Sequence, residues 1–560
     1  MRCGEWIRIN ANLKIASGGR SQFLPAGVES FGWRLSLLYL SALASRFTAD
    51  VEFTYTACRH LCWNWKLPQD RCSGYQRRPN SLCITEAPLN GEDHGLMQSC
   101  RSAGRRITGQ VAIHAMGIAT PIRTRGHLLR ILGVSFGVAV SVGATVGSGI
   151  LRTPGEVVAH WGKLWPIFAM WILGGLYTLL GCSSLLELGT MFPQAGGWYV
   201  YSRRTFGDYG GFLVGCCDWM VETVATAYLA VALAEFAAGL QPVLAQWVKV
   251  VALTSLAVLG LLNWLGLRSG SRTQELTSLV KALALLALVV ACFRFPAAMQ
   301  STPRPALSTS VEGKESILLA FVLSMQAVII TYDGWYAPIY FTEEDKNPGR
   351  NLPRSMIVGV VSSAAIFLLV NTALLHILPI GQLAGSQVPA ADAAMVAFGG
   401  YGKQIILVVS IITVLSTINA TLLMGPRVLF GMGRDGLVPS WVASVNRGGT
   451  PGAALLLTLL VAAVLILSGS FETLIAIASF FMLTVHMSGY SGLLLLRRRL
   501  PEHPRPYKVW FYPWTPLAVL VISGVLFVLF VIGDPKHSLV TLLLVILSYP
   551  FYILVVKKRT

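Results

Sequence analysis

Thr145-Val146-Gly147-Ser148-Gly149-Ile150 interrupts the first long apolar stretch of the chain with small and polar residues, and Pro154 and Gly155 follow closely. Far downstream, Thr331-Tyr332-Asp333-Gly334-Trp335 interrupts another apolar stretch, again with a proline after it, Pro338. A helix broken inside a bilayer leaves main-chain groups unpaired. Lipid tolerates this only where the backbone lines a cavity or is buried in protein. Two interrupted hydrophobic segments at corresponding places in two halves of a membrane protein are the best sequence pointer to a transporter's substrate site.

The surrounding composition is that of a membrane protein. Of 560 residues, 54% are hydrophobic and 12% charged, where a soluble chain carries about 25% charge. Apolar runs of about 20 residues, long enough to cross a bilayer, recur from residue 128 to the end. The fold class is therefore all-α, polytopic and membrane-embedded. The net charge of +18 does not indicate nucleic acid, whose binders gather charge on a soluble domain. Here the basic residues sit in short blocks between apolar runs: Arg203-Arg204, Arg268 and Arg272, Arg350 and Arg354, Arg497-Arg498-Arg499, and Lys557-Lys558-Arg559. Cys182, Cys216, Cys217 and Cys292 fall within apolar segments, where cysteine behaves as a small hydrophobe.

Twelve spans are expected, near 128–157, 163–191, 209–239, 246–267, 273–295, 315–342, 354–379, 392–425, 452–469, 472–496, 512–533 and 538–556. The loops after spans 2, 4, 6, 8 and 10 carry the Arg/Lys blocks, so these loops and both termini are expected on the cytoplasmic side of the cell membrane. Spans 1–5 (about 128–295) and 6–10 (about 315–497) make two halves of five. The odd number inverts the second half relative to the first, and the two breaks open the two halves, in spans 1 and 6. The last two helices (511–557) are additions. Together these make a transporter domain over 127–560. Residues 1–126 share none of this pattern. Their apolar run at 35–43 resembles a signal peptide but lies too far into the chain. Cys58, His60, Cys62, Cys72 and Cys83 match no paired metal-ligand spacing. The segment is expected to be irregular, either disordered or read through from upstream of a start at Met116.

At the first break, the amides of Ser148, Gly149 and Ile150 open the second half-helix. Such an end carries partial positive charge and free N–H donors, which suit a carboxylate. Gly147 and Gly149 allow close approach to the backbone. The carbonyls of Ala144 and Thr145, and those of Thr331 and Tyr332 at the second break, suit an ammonium. Gly334 kinks the second break, and Tyr332 and Trp335 are candidates to cover a substrate. The two charges of an α-amino acid would both find partners. The competing reading is a small-residue packing face for the first break and an interfacial aromatic belt for the second. The pairing of the breaks weighs against the first alternative, and cytoplasmic charge that begins only at Glu343 weighs against the second. Lys281 in span 5 and Glu222 in span 3 are intramembrane charges and hence candidate coupling residues. Lys281 either tethers span 1 carbonyls, exchanges a proton, or snorkels to the interface. Glu222 is either a proton carrier or a structural partner. Glu187 and Glu235, toward span ends, are expected at the interface.

Four cytoplasmic stretches complete the pattern. Glu187-Leu188-Gly189-Thr190-Met191-Phe192-Pro193-Gln194-Ala195-Gly196-Gly197-Trp198-Tyr199 follows span 2. Phe341-Thr342-Glu343-Glu344-Asp345-Lys346-Asn347-Pro348-Gly349-Arg350-Asn351-Leu352-Pro353-Arg354 follows span 6. Pro426-Arg427-Val428-Leu429-Phe430 and Arg434-Asp435-Gly436-Leu437-Val438-Pro439 follow span 8, and Arg505-Pro506-Tyr507-Lys508-Val509-Trp510 follows span 10. With Gly147-Ser148-Gly149-Ile150, this ordered set resembles the amino acid–polyamine–organocation (APC) superfamily, its L-type amino acid transporter side in particular, from about 130 to 530. The resemblance implies a leucine-transporter-like 5+5 inverted repeat with discontinuous helices 1 and 6. It also implies backbone recognition of an amino acid at the breaks, and a span 5 lysine against the span 1 break.

The expected function is secondary active transport of amino acids by alternating access, proton-coupled and for neutral amino acids, since no buried acid beyond Glu222 faces a cationic side chain. Exchange stays open because the family contains both modes. A polyamine would leave the amides without a carboxylate, and a non-transporting nutrient sensor would carry a folded signalling domain. His114, His127, His160, His376, His486 and His537 are scattered, and no nucleophile–base or metal pair converges, so an enzyme is not expected. The expected partners are an amino acid, a proton or counter-transported amino acid, and the bilayer. No metal, cofactor or obligatory protein partner is expected.

Overall fold

The computed structural model describes residues 127–295, 317–386, 388–468 and 471–557. The expectations for residues 1–126, the cysteine–histidine set included, lie outside the described residues. Regular structure among the described residues is helical, with one isolated bridge between Leu132 and Asp345. The broken first span is α1 (Val134–Thr145) and α2 (Gly149–Trp161), bent by 49°. Then follow α3 (Leu164–Met191), α4 (Trp198–Leu240), α5 (Val248–Trp264) and α6 (Leu267–Arg294). The second half opens with α7 (Ile317–Thr331), and a 3-10 helix, Ala337–Phe341, lies beyond its break. It continues with α8 (Pro348–Ile377), the short α9 (Ile380–Ala384) and α10 (Pro389–Phe398), α11 (Gly402–Arg434), α12 (Gly452–Ser468) and α13 (Phe471–Arg499). Last come α14 (Trp514–Gly533) and α15 (Pro535–Lys557). Among the described residues, nine helices are long and apolar enough to cross a membrane, ten with the bent pair, and α7 and α12 are shorter apolar helices.

Spans 8 and 3 differ most from the sequence reading, and span 8 also runs on to Arg434. Span 8, expected at 392–425, starts at Gly402, because Gly399 at φ +59 turns the chain and detaches α10 as a separate helix. That detached segment packs on α2, where a Cβ on Gly155 would lie 2.8 Å from the Ser386 carbonyl oxygen and 3.0 Å from Pro389 Cγ. Unbroken hydropathy through 389–425 hid the turn. Span 3 gains a lead-in, because α4 begins at Trp198 and is kinked at Gly207 (φ 79).

The outward faces are the apolar ones. On α6, Leu276, Leu279, Leu283, Leu286 and Val290 are exposed, whereas Gln274, Ser278 and Lys281 are buried. Lipid accepts leucine as readily as a protein core does, so polar groups become the interhelical links. Asn263 of α5 donates to Asn419 Oδ1 at 2.8 Å, and Asn419 donates to Gln274 Oε1 at 2.8 Å. Thr226 of α4 meets Thr421 of α11 at 2.7 Å. Helices α4, α5, α6 and α11 are thereby tied into one frame.

The ends carrying the motifs are clamped by ion pairs. Arg427 forks onto Glu344 (Nε–Oε2 2.6 Å, Nη2–Oε1 2.9 Å) and stacks 4.4 Å from the Phe341 ring centroid. Arg434 meets Glu343 at 2.6 Å, and Arg203 and Tyr199 both reach Asp435. Glu187 was expected at the interface. It is instead fully buried, and accepts from Arg497, Arg505 and the Val509 amide. Glu235 is exposed, in keeping with its place near a span end. Breaking a buried pair by removing one partner costs about 3–5 kcal/mol, because an uncompensated charge remains. Arg427→Ala is therefore expected to destabilise the protein by about that amount in detergent denaturation. The double variant Arg427→Met with Glu344→Gln is expected to recover most of the loss.

Candidate functional site

At the first break, the Val146 amide donates to Val142 O and the Gly147 amide turns back onto Thr145 O, both at 2.9 Å. The amides of Ser148, Gly149 and Ile150 have no acceptor among the described residues. Ser148 caps α2 with no side-chain bond of its own. A Cβ on Gly147 would meet nothing within 4 Å, so open space borders the break. Ile150 is buried, and the buried Thr145 hydroxyl has no partner. A helix N-terminus with free amides beside open space is an anion site in the making.

The carbonyl end of α1 is satisfied differently. Lys281 is wholly buried, and its Nζ donates to Gly143 O at 2.8 Å and to Val146 O at 2.7 Å. The Thr417 hydroxyl adds a 3.2 Å bond to Gly143 O. The break frees these two carbonyls, and the ammonium takes both while lying at the negative end of the half-helix dipole. Of the readings left open by sequence, tethering is the one this geometry displays. Snorkelling does not fit a side chain with no exposure.

At the second break, the Tyr332 amide reaches Val328 O at 3.0 Å and the Asp333 amide reaches Ile330 O at 3.2 Å. The carbonyls of Thr331 and Tyr332 have no donor among the described residues. Gly334 sits at φ +97, where a side chain is strained, and its Cβ would lie 2.7 Å from the Ala144 carbonyl carbon. Gly149 lies against Thr331, whose Cγ2 would be 3.2 Å from an added Cβ, and Ser141 donates to Trp335 O at 3.1 Å. The two breaks therefore touch, bringing free N–H groups from one beside free C=O groups from the other. On the span 1 side, Thr145 O is already taken by Gly147 and Ala144 lies under Gly334. Ala144 O, Thr331 O and Tyr332 O have no donor among the described residues.

Thr331 faces Gly149 of the first break, whereas Tyr332 and Trp335 turn to other neighbours. Tyr332 donates to Trp171 O at 3.1 Å and packs 4.8 Å from Phe367, wedged between α3 and α8. Trp335 packs beside Trp198, Tyr336 and His486. Glu222 is buried on α4 against Gly425 of α11, and its carboxylate has no hydrogen bond or ion pair among the described residues and no bond to Lys281.

Sequence reasoning placed Asp218 near the cytoplasmic entry of span 3 and did not join it, Asp333 or His486 into a second polar group beside the breaks. Asp218 is buried, with Oδ1 accepting from Tyr340 at 2.7 Å and Oδ2 lacking a partner. Asp333 Oδ2 accepts from Tyr336 at 3.3 Å, and its Oδ1 stands 3.7 Å from His486 Nε2. The available signal was an acid one turn from Glu222 and a lone histidine inside span 10. Neither spacing shows that the fold brings them to span 6.

A helical membrane bundle organised on two touching helix breaks has the architecture of the secondary transporters. Residues 132–556 match the Amino acid permease family, and the chain belongs to this family within the APC superfamily. It is similar to the serine/threonine exchanger SteT of Bacillus subtilis (29% identity over 76% of this chain and 97% of that protein). It is also similar to the mouse b(0,+)-type amino acid transporter 1 (27% identity; 82% and 93%) and the mouse Asc-type amino acid transporter 1 (28%; 78% and 83%). These relatives are transporters rather than enzymes.

Proposed function

We propose that the chain takes up neutral α-amino acids across the cytoplasmic membrane by alternating access, coupled to protons. The observation that carries this reading is the contact of the two breaks. The Ser148, Gly149 and Ile150 amides are offered to a carboxylate, and the Thr331 and Tyr332 carbonyls to an ammonium. Ala144, Thr145, Gly147, Gly334 and Trp335 complete the wall, and Lys281 holds the first half-helix in shape. Coupling is assigned to Lys281 and Glu222, two of the buried ionisable groups within the spans. With α7 and α12 counted as spans, twelve helices make two inverted repeats of five plus two, with both termini in the cytoplasm. The bundle of spans 1, 2, 6 and 7 rocks against the scaffold of spans 3, 4, 8 and 9. A neutral side chain is proposed, with Asp218 and Asp333 each keeping one tyrosine donor, from Tyr340 and Tyr336.

Exchange is the second reading, favoured by the likeness to a serine/threonine exchanger. Uptake of radiolabelled amino acids into proteoliposomes separates the two. Symport predicts saturable accumulation driven by an inward proton gradient into empty vesicles. Uptake only into preloaded vesicles would establish exchange, and no uptake in either case would refute transport.

A further inference from the structure

Helices α13 and α14 are joined by a strap, residues 500–513, that is pinned to the end of α3. Arg505 Nε donates to Glu187 Oε1 at 3.1 Å, the Val509 amide donates to Glu187 Oε2 at 2.8 Å, and the Tyr507 and Ser183 hydroxyls meet at 3.0 Å. Arg497, near the end of α13, lies 4.0 Å from the Tyr512 ring centroid, just before α14. The end of one helix and the start of the other are therefore side by side. They stay so through the membrane, where Phe480 of α13 packs on Phe527 and Phe530 of α14.

Two features of this helix pair have no use in recognising an amino acid. One is charge. Arg498 and Lys508 are exposed and form no ion pair among the described residues, and Arg499 gives one N–H to Thr205 O at 2.6 Å. Glu502 is the one carboxylate within residues 497–513, against five Lys and Arg, so the patch stays positive even with Glu187 counted. Phe511 and Trp514 beside it are 82% and 70% exposed, as aromatic residues are at headgroup depth. The other feature is an open groove of about 520 Å³ between the two helices, lined by Met487, Val521, Gly524, Val525, Phe527 and Val528. Gly524 leaves its floor bare, since a Cβ there would meet only Met487 Cε, at 3.9 Å. At 1.5 Å per residue the groove lies about 10–20 Å along α14 from Trp514. That is acyl-chain depth in a leaflet whose hydrocarbon is about 15 Å thick.

We propose that this helix pair binds one anionic phospholipid of the bilayer, with its phosphate on Arg498 and Lys508 and one acyl chain in the α13–α14 groove. A guanidinium suits a phosphate because it offers parallel N–H donors as well as charge. Cations close to an anionic membrane surface each add to the attraction. A free phosphate would use the cations and leave the groove empty. A zwitterionic lipid would use the groove and gain little from the cations. An anionic lipid is the ligand that uses both, at the two depths where they stand. The site is independent of what the helix breaks bind.

The test is native mass spectrometry of the purified full-length protein, released from detergent micelles doped with equal amounts of phosphatidylglycerol and phosphatidylcholine. The wild type is expected to retain phosphatidylglycerol over phosphatidylcholine by about tenfold or more. The double variant Arg498→Gln with Lys508→Gln is expected to bring that ratio close to one. Gly524→Leu fills the groove and is expected to lower retention of both lipids severalfold while keeping the ratio. The ratio is read within one preparation, so a variant that merely lowers the folded fraction does not move it. Equal retention of the two lipids by the wild type would overturn the proposal, leaving bulk lipid on an apolar surface. An unchanged ratio in the double variant would overturn it by placing the headgroup elsewhere, and unchanged retention in Gly524→Leu by leaving the groove without a chain. Displacement of phosphatidylglycerol by an equal concentration of glycerol phosphate would overturn it in favour of a free phosphate ligand.

Discussion

Lys281→Met is expected to lower transport by on the order of 100-fold or more. The methionine fills similar space but donates nothing. Gly143 O keeps only its 3.2 Å bond from Thr417, and Val146 O keeps no side-chain donor. Hydrogen bonds from a charged donor contribute about 1.5–3 kcal/mol each, and a buried acceptor left bare costs about 1–3 kcal/mol. About 3 kcal/mol withdrawn from the substrate-ready shape of the break already amounts to the factor stated. Lys281→Arg is expected to fail as well, since a planar guanidinium cannot replace a compact ammonium aimed at two carbonyls of one helix end. Initial uptake rates in proteoliposomes are the measurement, with a thermal unfolding scan to show that the variant is folded. Uptake within about threefold of wild type would remove Lys281 from the working part of the site.

Ser148→Trp is expected to abolish substrate binding while leaving insertion and folding intact. Ser148 makes no capping bond that the fold would miss, and the open space beside Gly147 gives the indole somewhere to go. That same space is what the carboxylate must enter to reach the amides of Ser148, Gly149 and Ile150. Glycine's bare backbone gives close approach at this point, and a bulky ring in the approach denies it. The measurement is saturation binding of radiolabelled amino acid to the purified variant. Wild-type affinity would place the carboxylate elsewhere.

Much of this architecture could be read from the sequence because lipid imposes severe rules. Long apolar runs must be helices, and a Gly-Ser-Gly interruption in one of them demands a reason. The breaks at 145–150 and 331–335 were legible on that ground, and so was a charge as costly as Lys281. The partners of the break were not legible. Sequence could offer both Ala144 and Thr145 as ammonium acceptors, but only geometry shows Thr145 O returned to Gly147 and Ala144 covered by Gly334. The aromatic side chains were equally opaque, since nothing in Tyr332-Asp333-Gly334-Trp335 says that Tyr332 faces α3 and α8. The motifs between the spans were visible as words, yet their pairing of Glu344 with Arg427 and of Glu187 with Arg505 joins residues far apart in the chain. The 389–425 stretch misled because hydropathy measures burial in lipid or protein alike, and a single glycine turn at Gly399 leaves no mark on it.

The central claim is that the span 1 break reads the α-carboxylate of an amino acid. Its most direct test is the affinity of the purified protein for an L-amino acid against that of its decarboxylated amine, measured by competition on the wild type. The free amides predict that loss of the carboxylate weakens binding by about 100-fold or more, the weight of charge-assisted bonds to a helix N-terminus. Equal affinity for the amino acid and its amine would contradict the account.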